Sequence, residues 1–148
     1  HAAYMQTVGL ETMDARYRVQ SATALELATR LTKVPQIKRV NYTGLPDNPF
    51  YEIAKRQYGN TSGAMLTIDL ADKASALRFI DRLNVIHRAS NLFDDRSLAI
   101  HTASTIFGTF SGSQRKAMDV LDTTIRLSVG LEHVDDLYND ILQAVQEE

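Results

Sequence analysis

The chain has 148 residues, is 44% hydrophobic and 23% charged, and carries a net charge of −2, which is the composition of one globular domain. It lacks the basic excess of a nucleic-acid binder, an apolar run of about 20 residues that could span a membrane, and any cysteine for disulfides, thiolate catalysis or metal ligation. We expect a soluble, cytoplasmic protein. Because the chain begins with His1 and shows no secretory leader, we expect either that its start was processed or that it is a piece of a longer protein.

The first half of the sequence predicts helices at both ends of a short strand and loop. One apolar stripe over residues 13–31 predicts a long amphipathic helix that ends before Pro35. Residues 39–42 then predict a short strand. The turn-forming residues 43–49 predict a loop, and Pro49 opens a short helix, since proline is favoured at the first helical position.

A strand and a helix follow. Apolar residues alternate over 64–70, which predicts a strand with one apolar face. Asp72 is placed to cap the next helix. That helix has its apolar residues at helical spacing, namely Ala76, Phe79, Ile80 and Leu83. Val85 and Ile86 predict the beginning of another strand.

The last third of the chain holds the clearest strand. Residues 90–110 are irregular apart from Leu98 and Ile100, whereas residues 124–129 alternate cleanly between apolar and polar. An amphipathic helix over residues 134–145 follows, with acidic residues at its positive end. The fold class we predict is α+β: a two-layer sandwich in which a small, mainly antiparallel sheet is covered by helices on one face.

Composition and spacing do not reveal a complete set of catalytic residues. The seven glycines form no phosphate-binding pattern, the four histidines are scattered, and no G-x-S-x-G elbow occurs. The lysines stand at helix faces, helix ends or a strand edge and not in apolar stretches that would lower the pKa of an amine. The sequence therefore predicts neither a metal site nor a catalytic residue in this chain.

Arg126 is the candidate that stands out, because it lies in the middle of a strand whose alternate residues form the core. A guanidinium matches a carboxylate with two parallel hydrogen bonds. The alternative is that Arg126 lies on the solvated face of an antiparallel sheet, and the pattern alone favours that alternative. Residues 90–95 predict a polar loop that either binds a ligand or only connects two elements.

Four blocks of sequence, in this order along the chain, favour a binding role for Arg126 over a solvated position. They are G-L-E-T-M at 9–13 with Arg16 downstream, V-N-Y-T-G-L at 40–45, S-N-L-F-D-D-R-S-L at 90–98 with H-T-A-S at 101–104, and I-R-L-S-V-G-L-E at 125–132. Together they resemble the C-terminal region of the Cys/Met-metabolism family, the pyridoxal-phosphate enzymes of transsulfuration. The resemblance covers essentially the whole chain.

The resemblance implies the small C-terminal domain of a fold-type I pyridoxal-phosphate enzyme. Residues 1–30 would form a long helix that enters this domain and residues 31–148 the substrate-binding domain itself. The lysine that carries pyridoxal phosphate, and the residues that hold the cofactor's phosphate, belong to a larger N-terminal domain that is absent here. The isolated chain is therefore expected to be inactive, and the complete enzyme to be a homotetramer.

The resemblance also assigns the substrate-binding residues. Arg126 would form a salt bridge with the α-carboxylate of an amino-acid substrate, and Asn91 would line the same pocket. Asparagine at that position favours the sulfhydrylase branch of the family, with O-acetylhomoserine as substrate and sulfide as the incoming nucleophile. Methionine γ-lyase and cystathionine γ-synthase or lyase chemistry are the alternatives within the family. Two alternatives lie outside this family: a regulatory domain that binds a free amino acid, and a structural assembly module.

Four positions depart from the family pattern. Phe93 stands in place of the usual glycine, which restricts the backbone of the loop and narrows the pocket. Thr102 replaces proline, and Ile106 with Phe107 replaces a Thr-His pair near the site. No role of that pair transfers to this chain.

Overall fold

A computed structural model of the chain describes residues 1–146. Its helices are α1 (Ala2–Glu11), α2 (Met13–Leu31), α3 (Tyr51–Tyr58), α4 (Lys73–Arg82), α5 (Gly112–Ala117) and α6 (Val134–Val145). Its strands are β1 (Arg39–Asn41), β2 (Met65–Asp69), β3 (His87–Arg88), β4 (Leu98–His101) and β5 (Thr124–Ser128). A single 3-10 turn, Thr102–Ser104, follows β4.

The five strands form one open sheet in the order β1-β2-β5-β4-β3. Every neighbouring pair is antiparallel except β3 and β4, which run parallel. The last long strand of the sequence, β5, therefore lies at the centre of the sheet. This arrangement confirms the predicted mainly antiparallel sheet.

The core lies between the sheet and helices α2, α4 and α6, which pack on one face and on one another. Alternate strand residues supply the sheet's side of this core, as the side-chain period of two requires: they are Leu66, Ile68, Ile125, Leu127 and Val129. The helices supply the other side through Leu27, Leu31, Phe79, Leu137 and Ile141. The two-layer α+β sandwich is confirmed, and the second half of α2 belongs to its core.

Several local predictions are confirmed at the level of single residues. Helix α2 covers the predicted stripe, and β5 covers all but the last residue of the predicted strand. The side chain of Asp72 accepts a hydrogen bond of 2.7 Å from the backbone N–H of Ser75 and so caps α4. Sequence periodicity was sufficient for these elements because each buries one regular face.

Other predictions need correction. The strand predicted to begin at Val85 and Ile86 begins at His87, because the carboxylate of Asp140 accepts the backbone N–H groups of residues 84–86 and removes them from the ladder. The region expected from the resemblance to form one long helix, residues 1–30, contains two helices, α1 and α2, which are separated at Thr12. Helix α5 was not predicted. Among residues 1–146, no helix combines the length and the apolar character needed to cross a membrane.

Candidate substrate-binding site

Arg126 lies at the middle of β5, directly across from Thr67 of β2 and Ile100 of β4. Its chain neighbours Ile125 and Leu127 are buried beneath the helices, so alternation directs Arg126 to the opposite side of the sheet. We call the side that carries Thr67, Ile100 and Arg126 the outer face. The guanidinium is thus held on the most central strand of the fold, on the face that the helices leave uncovered.

The charge of Arg126 is partly removed from water and is not neutralised by a carboxylate. The residue is partly buried, and this burial lowers the pKa of its guanidinium from the ordinary value. Within residues 1–146 it takes part in no ion pair. A desolvated cation without a counter-ion raises the free energy of the free protein and favours the binding of an anion.

The structure brings Asn91 next to Arg126, as the sequence predicts for two residues of one site. Nη2 of Arg126 donates a hydrogen bond of 3.4 Å to the backbone carbonyl of Asn91. The Asn91 side chain is occupied within its own loop, because its amide donates to Asp94 and its oxygen accepts the N–H of Leu92. Asn91 therefore contacts the guanidinium through its carbonyl and not through its side chain.

A shallow depression of about 210 Å³ opens beside Arg126 on the sheet. Its other lining residues are Asn41, Tyr42, Thr43, Met65, Leu66 and Thr67. The Tyr42 hydroxyl donates to the carbonyl of Gly63 at 2.8 Å, and burial raises the pKa of Tyr42. The phenol of Tyr42 is therefore neutral, and its hydroxyl already has a hydrogen-bond partner. The positive charge beside the depression comes from Arg126.

The loop that contains Asn91 is closed by Phe93, which adopts a φ of +53°. Its backbone N–H donates to the buried hydroxyl of Ser128 at 3.3 Å, and its ring lies 5.9 Å from the ring of Tyr17. The backbone thus keeps the left-handed conformation that glycine adopts most readily. Sequence reasoning missed Ser128, although its position two residues after Arg126 places it on the same outer face.

One of the four scattered histidines has a structural role. His101 is buried, and its ring donates through Nε2 to the carbonyl of Asp122 at 2.8 Å while Nδ1 is hydrogen-bonded to the hydroxyl of Ser104 at 2.7 Å. Both nitrogens are therefore used to close the turn after β4. No group of three or more acidic or histidine side chains within residues 1–146 could hold a metal ion.

A concavity of about 350 Å³ between α4 and α6 is also lined by basic residues, but these have partners inside the chain. Arg82 donates to the carbonyl of Gln146 at 2.6 Å and Arg78 to the hydroxyl of Ser75 at 3.0 Å. The hydrogen bond of Arg126 to the Asn91 carbonyl, at 3.4 Å, is longer than the bonds of these two arginines. The outer face is therefore the better candidate for a binding site.

The profile of the family described as Cys/Met metabolism PLP-dependent enzyme matches residues 1–146. The chain belongs to this family. The resemblance that was based on four sequence blocks is confirmed, and with it the dependence of the family on pyridoxal phosphate.

Curated members of the family include close relatives of two activities. The chain is 38% identical to O-acetyl-L-homoserine sulfhydrylase 1 of Thermus thermophilus over 97% of its length. It is also 38% identical to an O-succinylhomoserine sulfhydrylase of Pseudomonas aeruginosa and 34% identical to an L-methionine gamma-lyase of Pseudomonas putida. The chain spans only about a third of the length of these enzymes, from 34% to 37%.

Solved structures of family members share the fold. A putative O-acetylhomoserine (thiol)-lyase of Campylobacter jejuni, which contains N′-pyridoxyl-lysine-5′-monophosphate, superposes with a TM-score of 0.90 and 36% identity over 93% of this chain and 33% of its own. The O-acetylhomoserine sulfhydrylase of Wolinella succinogenes gives a TM-score of 0.85 and 41% identity over 99% of this chain and 38% of its own.

Residues 1–146 do not fit pyridoxal phosphate by themselves. A lysine that forms a Schiff base must be desolvated or placed beside other charges, whereas all five lysines of the chain are exposed. They are Lys33, Lys38, Lys55, Lys73 and Lys116. The residues described here can contact the amino acid that reacts on the cofactor, but they do not form a place for the cofactor itself.

Proposed function

We propose that this chain is the C-terminal, substrate-binding domain of a pyridoxal-phosphate-dependent sulfhydrylase that acts on O-acetylhomoserine. In such a reaction the γ C–O bond of the ester breaks, acetate leaves, and sulfide forms the new C–S bond. Two curated sulfhydrylases are 38% identical to the chain, others are 34% to 36% identical, and the γ-lyase is 34% identical, so the two highest of these identities support a sulfhydrylase. Residues 31–148 would be the substrate-binding domain and residues 1–30 the helical connection to it.

The observation that carries the proposal is the guanidinium of Arg126, which is partly buried and has no ion-pair partner within residues 1–146. The α-carboxylate of an amino acid supplies the missing charge and matches the guanidinium with two hydrogen bonds. By fixing the carboxylate, Arg126 would orient the rest of the amino acid relative to the reacting groups. The carbonyl of Asn91 would orient the guanidinium from the other side.

The test is replacement of Arg126 in the full-length enzyme. We expect Arg126→Ala to raise KM for O-acetylhomoserine about 100-fold, since charged hydrogen bonds contribute about 1.5 to 3 kcal/mol. Arg126→Lys should recover part of this affinity, because it keeps the charge without the planar fork. The absorbance of bound cofactor should be unchanged in both variants, because Arg126 would contact the substrate and not the cofactor.

Arg88→Ala is the matched control. This arginine is exposed at the edge of the sheet and pairs with Asp81 at 2.9 Å, so its loss should leave KM near the wild-type value. An unchanged KM in Arg126→Ala would refute the carboxylate site. O-acetylhomoserine and methionine present the same α-carboxylate to Arg126 and differ in their side chains. Parallel assays with methionine as substrate therefore separate a sulfhydrylase from a γ-lyase by which side chain reacts. The homotetramer and the cytoplasmic location stay predictions.

A further inference from the structure

The loop between β3 and β4 holds a bulky residue in a conformation that such residues avoid. Phe93 has a φ of +53°, whereas the other non-glycine residue with positive φ among residues 1–146 is an aspartate, a type that tolerates it. A strained residue persists only where its surroundings hold it in place. The contacts around Phe93 therefore indicate what fixes this loop.

Three of these contacts come from neighbouring positions on helix α2. The ring of Tyr17 lies against the ring of Phe93. One turn later, Nε2 of Gln20 donates a hydrogen bond of 2.8 Å to the carbonyl of Asp94. Arg16, which is partly buried, adds an ion pair to the exposed Asp95 at 3.2 Å. One face of α2 thus holds three consecutive residues of the loop.

Of these contacts, the hydrogen bond of Gln20 is the one that satisfies a buried polar side chain. Its side chain is only 2% exposed although it carries a polar amide. A buried amide costs free energy unless it is hydrogen-bonded, and the Asp94 carbonyl is the partner that the structure gives it. Residue 20 therefore serves the loop, in contrast to the apolar positions of the same helix that serve the core.

On its other side the loop touches the candidate site. The carbonyl of Asn91 accepts the hydrogen bond of Arg126, and the N–H of Phe93 donates to Ser128 two residues further along β5. Since Arg126 has no carboxylate partner within residues 1–146, this carbonyl is what orients its guanidinium. A continuous path of contacts runs from α2 through the loop to Arg126.

We propose that Gln20 and Tyr17 are positioning residues for the carboxylate site. They hold loop 91–96 so that the Asn91 carbonyl presents the guanidinium of Arg126 in one orientation before the substrate arrives. A guanidinium that is already oriented loses less conformational entropy on binding. This inference rests on the proposed function, because it assigns a role to residues that act only through Arg126.

The test is a double-mutant cycle in the full-length enzyme. Gln20→Leu and Tyr17→Leu should each raise KM for the amino-acid substrate about fivefold to tenfold, the usual size of coupling within one network, with kcat within about twofold of wild type. In an Arg126→Ala background neither substitution should raise KM further, because the group being oriented is gone.

Conservative variants separate positioning from general destabilisation. Gln20→Glu keeps the size of the side chain but loses the N–H donor, so it should behave as Gln20→Leu does. Tyr17→Phe keeps the ring and should retain the wild-type KM. Arg18→Ala is the control on the same helix, because Arg18 is exposed and forms an ion pair with Asp14 of its own helix; its KM should not change.

The outcomes distinguish the two proposals. If Gln20→Leu and Tyr17→Leu lower the melting temperature but leave KM unchanged, or if their effects add fully to that of Arg126→Ala, the positioning role is wrong while the carboxylate site stands. If Arg126→Ala itself leaves KM unchanged, the proposed function fails first. Faster hydrogen exchange of amides 91–96 in Gln20→Glu, with unchanged exchange in the core strands, would support the positioning role independently of activity.

Discussion

Asp140 shows how one buried carboxylate can decide where a strand begins. It lies in α6 and is only 4% exposed, and its two oxygens accept the N–H groups of Asn84, Val85 and Ile86, each at 2.9 Å. These three donors follow the end of α4, and a backbone N–H that is buried without a partner costs free energy. The carboxylate thus joins the end of α4 to α6 and delays β3 until His87.

We expect Asp140→Ala to lower the free energy of unfolding by about 2 to 3 kcal/mol, because it leaves several backbone donors unsatisfied. Urea denaturation followed by circular dichroism measures this change. The adjacent Asn139→Ala is the control, since Asn139 is exposed and should shift stability by less than about 0.5 kcal/mol. Equal stability of the two variants would mean that water replaces the carboxylate without cost.

At the same scale, the sequence predicted which residues meet but not how they meet. Strand alternation placed Arg126 on the face opposite the core, and the family resemblance placed Asn91 beside it; the structure brings both together. That the Asn91 carbonyl and not its amide reaches the guanidinium depends on the loop's dihedral angles. Those angles follow from tertiary contacts with Tyr17 and Gln20, which are distant in sequence.

Helix α4 offers a pH-dependent test at the level of an element. The N–H of Ser75 donates to the carboxylate of Asp72 and lowers its pKa from the ordinary value. Since the folded pKa lies below the unfolded one, the stabilisation is complete above the unfolded pKa and is lost as the pH falls through the folded one. Acidification should therefore weaken this cap.

We expect Asp72→Ala to lower the melting temperature at pH 7, and Asp72→Asn to lower it less, because asparagine also caps helices. The difference between wild type and Asp72→Asn should begin to shrink as the pH falls below about 4, the ordinary pKa of an aspartate, and should vanish below the lower folded pKa. Differential scanning calorimetry from about pH 2 to about pH 7, a range that spans the ordinary pKa of an aspartate, checks both statements. The exposed loop variant Asp47→Asn should keep the wild-type melting temperature at pH 7; a difference between wild type and Asp72→Asn that persists at low pH would contradict the argument.

Elements with one regular apolar face were predictable, and elements without one were not. Helices α2, α4 and α6 each bury a stripe, so their periodicity showed in the sequence. Helix α1 buries no residue and α5 none either, so neither has a stripe to detect. The capping box of α5, in which Ser111 and Gln114 bond each other's backbone N–H groups, was the available signal.

At the scale of the whole molecule, helix α1 leaves apolar side chains exposed to solvent. Four of its large apolar residues are exposed, with Tyr4 at 68% and Leu10 at 62%, and its contacts within residues 1–146 are mainly to α2. Large apolar side chains exposed close together mark contacts with other protein when they form one patch. The curated relatives are about three times as long as this chain, so their remaining length offers a cover that residues 1–146 do not.

We therefore expect the 148-residue chain to self-associate through α1 when it is produced alone. Sedimentation velocity should show an average mass that rises with concentration. Replacing Tyr4, Met5, Val8 and Leu10 by glutamine, a good helix former, should return the chain to a monomer. The control is Ala3→Gln with Thr7→Gln on the same helix, which leaves the apolar residues in place and should still associate. A wild-type chain that stays monomeric at every concentration would mean that water solvates this helix adequately, and the argument for a covering domain over α1 would then fail even if Arg126 binds the substrate.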